Sequence, residues 1–172
     1  MYEYSFFQWL MFFYIYCFVG WCIESTIVSV AEKKFINRGF LRSPLLPIYG
    51  FGAIIILLIC LPVEDSPPLV YLFGLVGTTI LEYFTGWLME MLLKMKYWDY
   101  SDRRFNIKGR ICLRSSLFWG LLSLLLMYVI HRPIERLVLS MSSPVMAIAL
   151  TVKTAVFISV LIFAVRTAPG VK

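Results

Sequence analysis

Between Ser5 and Ala31 the chain offers an unbroken apolar run whose one charged residue is Glu24. A bilayer core takes ~20 helical residues to cross. Inside lipid, backbone N–H and C=O groups must bond within their own segment, so such a run folds as a helix. Four more runs follow, and the expected spans are about Ser5–Ala31, Leu46–Leu61, Pro68–Leu93, Gly109–Ile130 and Pro144–Arg166. The second is short and opens at Pro47, where a missing N–H costs nothing in a first turn. His131–Ser142 (HRPIERLVLSMS) is too short to span and reads as an amphipathic segment along the interface.

The fold class that follows is an all-α integral membrane protein of about five transmembrane helices. Composition agrees. The chain is 60% hydrophobic with 17% aromatic residues and a mean hydropathy of +0.82, against roughly 45–50% apolar residues in soluble domains. Its 172 residues are read as a single transmembrane domain, 1–172. The opening Met-Tyr-Glu-Tyr has no basic n-region, so the first helix is expected to serve as its own insertion signal rather than a cleaved one. Cys17, Cys22, Cys60 and Cys112 lie in or beside apolar runs without ligand spacing, which reads as small buried thiols and no metal site.

The net charge of +6 could suggest nucleic acid, but its placement points to topology. Lys33, Lys34, Arg38 and Arg42 follow the first span. Lys94, Lys96, Arg103, Arg104, Lys108, Arg110 and Arg114 follow the third, and Arg166 and Lys172 close the chain. With five spans all of these fall on one face, whereas the other has only Arg132 and Arg136, alongside Glu64, Asp65 and Glu135. The positive-inside rule makes the basic face cytoplasmic, with the N-terminus outside and the C-terminus inside. Anionic lipid at that face is an expected partner, and nucleic acid is not.

The glutamate of the first span recurs. Gly20-Trp21-Cys22-Ile23-Glu24 is answered by Gly86-Trp87-Leu88-Met89-Glu90. Asn37…Gly39, Leu41-Arg42-Ser43 and Gly50 then match Asn106…Gly109, Leu113-Arg114-Ser115 and Gly120 in the same order. This predicts a duplicated helix–loop–helix unit, helices 1–2 (about 5–62) and 3–4 (about 68–130), with a fifth helix outside the repeat. Repeats of equal orientation are related by an axis along the membrane normal. Glu24 and Glu90, with Asn37, Asn106, Arg42 and Arg114, would then form a polar ring near the cytoplasmic boundary.

Glu82 and Lys153 lie deeper. Eight helical residues separate Glu82 from Glu90, ~80° around the axis, so the two share a broad face. A lysine can reach along a helix, and Glu82 is the expected counter-ion of Lys153. Ionisable groups at such depth are functional candidates by default. Pairs that merely lock hairpins together are the structural alternative. In the loop Tyr97-Trp98-Asp99-Tyr100-Ser101-Asp102 the aromatics suit an interfacial belt, and Asp99 could cap a helix, meet a basic partner or join the ring. No GxxxxGK[ST], HExxH or GxSxG motif occurs, which gives no support to an enzyme of those kinds and leaves no cofactor expected. His131, on the outer face, reads as interfacial.

"NRGFLRSPLLPIYGFGA" (Asn37–Ala53), "LEYFTGWLME" (Leu81–Glu90) and the Tyr97-Trp98-Asp99-Tyr100-Ser101…Asn106…Leu113 stretch resemble the CmpB-type ABC-transporter type IV family, grouped with transmembrane protein 229. The likeness covers roughly residues 5–130. It implies a multi-pass protein assigned to transport, and it places Glu24, Asn37, Arg38, Tyr49, Glu82, Glu90, Asp99, Asn106 and Arg114 among motif residues. A permease of this kind would work with a separate ATPase subunit, and so short a chain would form a homodimer. Three functions follow as expectations: a transporter or permease subunit, an enzyme or binder of a phosphate-bearing lipid headgroup held by arginines, or an accessory scaffold.

Overall fold

The computed structural model describes residues 4–39, 43–94 and 96–167. It is built from α1 (Phe6–Glu32), α2 (Pro47–Cys60), α3 (Pro67–Leu93), a two-stranded ribbon of β1 (Asn106–Ile107) and β2 (Ile111–Cys112), α4 (Leu113–Leu125), α5 (His131–Ser140) and α6 (Ser143–Thr167). Three helices are long and apolar enough to cross a membrane, over Phe6–Glu32, Pro67–Leu92 and Leu113–Ser140. Shorter apolar helices cover Pro47–Val63 and Ser143–Ser159.

Local chemistry sets the helix ends. Ser5 caps α1 by accepting the Gln8 N–H at 3.3 Å, while the Gln8 side chain accepts the Ser5 N–H at 2.7 Å. That reciprocal box satisfies two donors the first turn leaves free. At the other end Lys33 turns left-handed (φ 52°), and the Lys34 N–H returns to the Ser29 carbonyl at 3.2 Å. α3 opens with Pro67 and Pro68 behind Ser66 and closes at a left-handed Lys94 (φ 53°).

Two expected boundaries move. The fourth helix starts at Leu113 rather than Gly109, because Asn106↔Cys112 and Ile107↔Ile111 pair first as a ribbon. Its far end does not stop near Ile130. Leu126–Ile130 forms a π-helical turn and α5 continues directly from it, so Pro133 lies inside a continuous helix just past that turn.

The chain divides into two compact units, one centred on Ile55–Pro133 and one joining the chain up to Ile54 with Ile134–Ala164. In the first, α3 and α4 pack closely. A Cβ on Gly74 would come within 2.1 Å of Ser123 Oγ, and one on Gly120 within 2.6 Å of the Tyr71 ring. Lipid tails give helices no hydrophobic reason to associate, so close backbone contact through small residues does that work. Polar groups run along the same interface. Thr78 (1% exposed) bonds the Gly74 carbonyl at 2.6 Å, and the fully buried Ser123 bonds the Trp119 carbonyl at 2.9 Å. Thr79 Oγ1 is the single buried side-chain polar atom without a partner among the described residues.

The second unit is aromatic. Phe13 meets Phe51 and Phe157 edge-on at 4.9 and 6.1 Å between centroids, and the Tyr14 hydroxyl donates to Thr154 Oγ1 at 3.0 Å. Gly20 lies so close to α2 that an added Cβ would stand 2.2 Å from the Tyr49 ring. Glu135, also buried, accepts a hydrogen bond from the Tyr4 hydroxyl.

Candidate functional site

In the first unit the loop after α3 folds back over the end of that helix. Asp99 accepts the Ser101 N–H at 2.9 Å and its hydroxyl at 2.5 Å. The Tyr100 N–H reaches the Gly109 carbonyl at 2.8 Å, and Asn106 binds the carbonyls of Ser101 and Arg103 through its amide nitrogen. Gly109 must be glycine: its φ is +70°, and a Cβ would lie 2.5 Å from Ser101 Oγ. The Trp98 indole N–H then donates to the Arg110 carbonyl at 2.8 Å.

This fold delivers three side chains to α3. Tyr100 and Ser115 both reach Glu82, which is 4% exposed. The phenol donates at 3.0 Å, and the serine hydroxyl lies 2.9 Å from each carboxylate oxygen. Burial, and then the Glu82 charge, push the Tyr100 phenol up to about 12. One helical face further on, Arg110 donates to Glu90 Oε2 from Nη2 at 2.6 Å and Nε at 3.1 Å. It also reaches the Tyr83 hydroxyl at 3.3 Å, with its guanidinium carbon 5.3 Å from that ring's centroid. Glu90 in turn raises the Arg110 pKa.

The second unit holds the other glutamate. Tyr49 donates to Glu24 Oε2 at 2.7 Å, and Arg38 Nη2 stands 3.6 Å from Glu24 Oε1. The chain after α1 climbs back along it on serine rungs. The Ile36 N–H donates to Ser29 Oγ at 2.8 Å and the Arg38 N–H to Ser25 Oγ at 3.2 Å. Four helical residues rise ~6 Å, close to the ~6.6 Å that two extended residues span, so the registers match. The Trp21 indole completes the ladder by donating to Asn37 Oδ1 at 2.7 Å, which also accepts the Gly39 N–H at 2.8 Å.

The predicted residues therefore separate by role. Glu24, Arg38 and Tyr49 come together, as do Glu82 with Tyr100 and Ser115, and Glu90 with Arg110. Asn37 and Asn106 are engaged in shaping their loops. Asp99 is exposed, pairs with Lys96 at 3.0 Å, and is lowered to about 2, first by the Ser101 hydroxyl and then by Lys96. Arg114 is exposed at the start of α4, and the contact with Glu90 falls to Arg110 instead. Lys153 is exposed on α6, while the carboxylate of Glu82 meets neutral hydroxyls. Arg42 lies outside the described residues. His131, expected at an interface, is 2% exposed. Arg110 and Ser115 were the residues missed, although Arg110 adjoins one repeated signal, Asn106…Gly109, and Ser115 closes the other, Leu113-Arg114-Ser115. Among the described residues no group of three or more His, Cys, Asp or Glu is placed to hold a metal ion.

Apolar helices of this length, with a carboxylate buried on one of them, fit an integral membrane protein. The chain belongs to the family described as "Putative ABC-transporter type IV", whose profile matches residues 11–165. The match extends past α4 into α6. No curated protein and no solved structure matches the chain.

Proposed function

We propose that the chain is a permease subunit whose polar site is the buried Glu82 carboxylate with Tyr100 and Ser115, backed by the Glu90–Arg110 pair. The observation that carries this reading is Glu82 itself: 4% exposed on a membrane-length helix and met by two hydroxyls. An ionisable group there costs far more than the Ser and Thr that suffice to join helices, and such groups commonly mark transport paths. Five spans, a cytoplasmic basic face, the parallel repeat and a separate ATPase subunit belong to the same reading. For the repeat, both α1 and α3 end in a left-handed lysine, and Glu24 and Glu90 each meet an arginine beside a glycine in the loop that follows. Their depth differs: Glu24 stands two turns before the end of α1, Glu90 one turn before the end of α3.

A second reading, in which the polar groups only lock the α3–α4 hairpin, is favoured by the close approach of Gly74 to Ser123. The two part at Thr78, one turn beyond Glu82. Access of a water-borne reagent to a cysteine placed there supports transport. Protection equal to that of an exposed apolar position on the same helix supports the lock.

A further inference from the structure

The last turns of α1 and the chain that climbs back along them enclose a groove of about 450 Å³, whose walls include Trp21, Thr26, Val30, Lys34 and Phe35. That volume falls within the ~300–1,000 Å³ typical of ligand sites. We infer that this groove binds one anionic phospholipid, its phosphate on Lys34 and an acyl chain along the apolar wall.

Position argues for lipid. α1 is of membrane length, and the groove lies on its closing turns, where the apolar run gives way to Lys33 and Lys34. That is the level of headgroups. Charge argues for an anion. Lys34 lines the groove, and Arg38 is tied by its N–H to Ser25, another lining residue. The Arg38 side chain is 43% exposed and touches Glu24 through one nitrogen at 3.6 Å, which leaves other donors of its fork free for a second acceptor. Glu32, exposed at the end of α1, is the opposing charge, and Lys33, Lys34 and Arg38 outnumber it with Glu24.

The apolar wall decides between a lipid and a soluble anion. Phe35 is 77% exposed and Val30 73%. A free phosphate would leave both in water, whereas a lipid covers them with the same ligand that meets the lysine. This site stands apart from the Glu82 reading and survives its failure.

Binding of dioleoyl phosphatidylglycerol and dioleoyl phosphatidylcholine to the purified full chain, followed by native mass spectrometry, tests it. The anionic phosphatidylglycerol should bind about fivefold tighter, the scale of one basic residue at a charged membrane. Lys34→Ala should abolish most of that preference. Phe35→Ala should weaken both lipids alike and leave their ratio. Lys94→Ala, at the end of α3, should change neither. Lys34 and Phe35 are both exposed, so loss of fold does not confuse the result, and unchanged melting confirms this for each variant. Equal binding of the two lipids, a preference that survives Lys34→Ala, no effect of Phe35→Ala, or an equal effect of Lys94→Ala overturns the inference. Displacement of the phosphatidylglycerol by millimolar inorganic phosphate also overturns it, in favour of a soluble anion.

Discussion

Two nitrogens of Arg110 converge on one oxygen of Glu90, at 2.6 and 3.1 Å, from twenty residues along the chain. The contact ties the ribbon that precedes α4 to the last turn of α3, and the Tyr83 hydroxyl and ring meet the same guanidinium. Its side chains are 15% and 25% exposed, so the pair is partly shielded from salt.

A double-mutant cycle on that pair should be strongly non-additive. Glu90→Gln and Arg110→Gln should each lower the melting midpoint in detergent, by roughly 2–4 °C for a chain of this size. The double variant should be no worse than the worse single one, because both remove the same contact. Fully additive losses would mean the two residues act separately.

At Glu82 the order of variants is informative. Glu82→Gln keeps an acceptor for Tyr100 and Ser115 and should leave the hairpin folded. Glu82→Leu leaves those two hydroxyls without it, at ~1–3 kcal/mol for each buried group that finds no other partner. Equal melting of the two variants would show that the hydroxyls do not depend on this residue.

The approach of Gly74 to Ser123 predicts a rescue. Gly74→Ala forces a methyl toward the Ser123 side chain, 2.1 Å from its oxygen as built, and overpacking of this kind costs ~1–3 kcal/mol. Ser123→Gly removes the opposing atoms and should restore most of the loss in the double variant, as read by thermal melting. A double variant worse than Gly74→Ala alone would contradict the packing described.

Tyr100 should titrate late. Its phenol is pushed up to about 12 from about 10 in an unfolded chain. The folded state therefore holds the proton more tightly, and this contribution to stability is complete below pH 10. It is lost as the pH rises from 10 through 12. Absorbance titration at 295 nm should lose one of its late phenols, the one near pH 12, in Tyr100→Phe, and that variant should lose less stability over this range.

Removing a rung of the ladder on α1 should free the chain that follows. Ser25→Ala takes away the acceptor of the Arg38 N–H, and trypsin should then cut at Arg38 several-fold faster than in the parent. An unchanged rate would mean that the segment is held by other contacts.

Much of this fold is legible in the sequence because hydrocarbon leaves a chain few choices. The limits of α1, α3 and α6 follow from apolar runs bounded by Ser5, the Pro67-Pro68 pair and Ser143-Pro144. The run past Ile130 is harder to read, since Arg132, Pro133, Glu135 and Arg136 look like an ending while the backbone continues through a π turn. At the site, Glu82, Glu24 and Glu90 stand out because a carboxylate in an apolar run is conspicuous. Their partners are less so. Arg110 sits in a loop with several other cations, and only the left-handed Gly109 and the Trp98 bond aim it at Glu90 rather than Arg114. Ser115 is an ordinary residue until the ribbon starts α4 four residues later than the apolar run suggests.

The central claim, that water reaches beyond Glu82 into the membrane-spanning part of α3, is tested most directly by cysteine labelling at Thr78. In a background with Cys17, Cys22, Cys60 and Cys112 replaced, Thr78→Cys is compared with Ile80→Cys, an exposed apolar position on the same helix. A membrane-impermeant maleimide should label Thr78→Cys more than tenfold faster than Ile80→Cys, and Glu82→Leu should suppress that labelling. Equal protection at both positions would contradict the transport reading and leave the carboxylate as a lock between α3 and its loop.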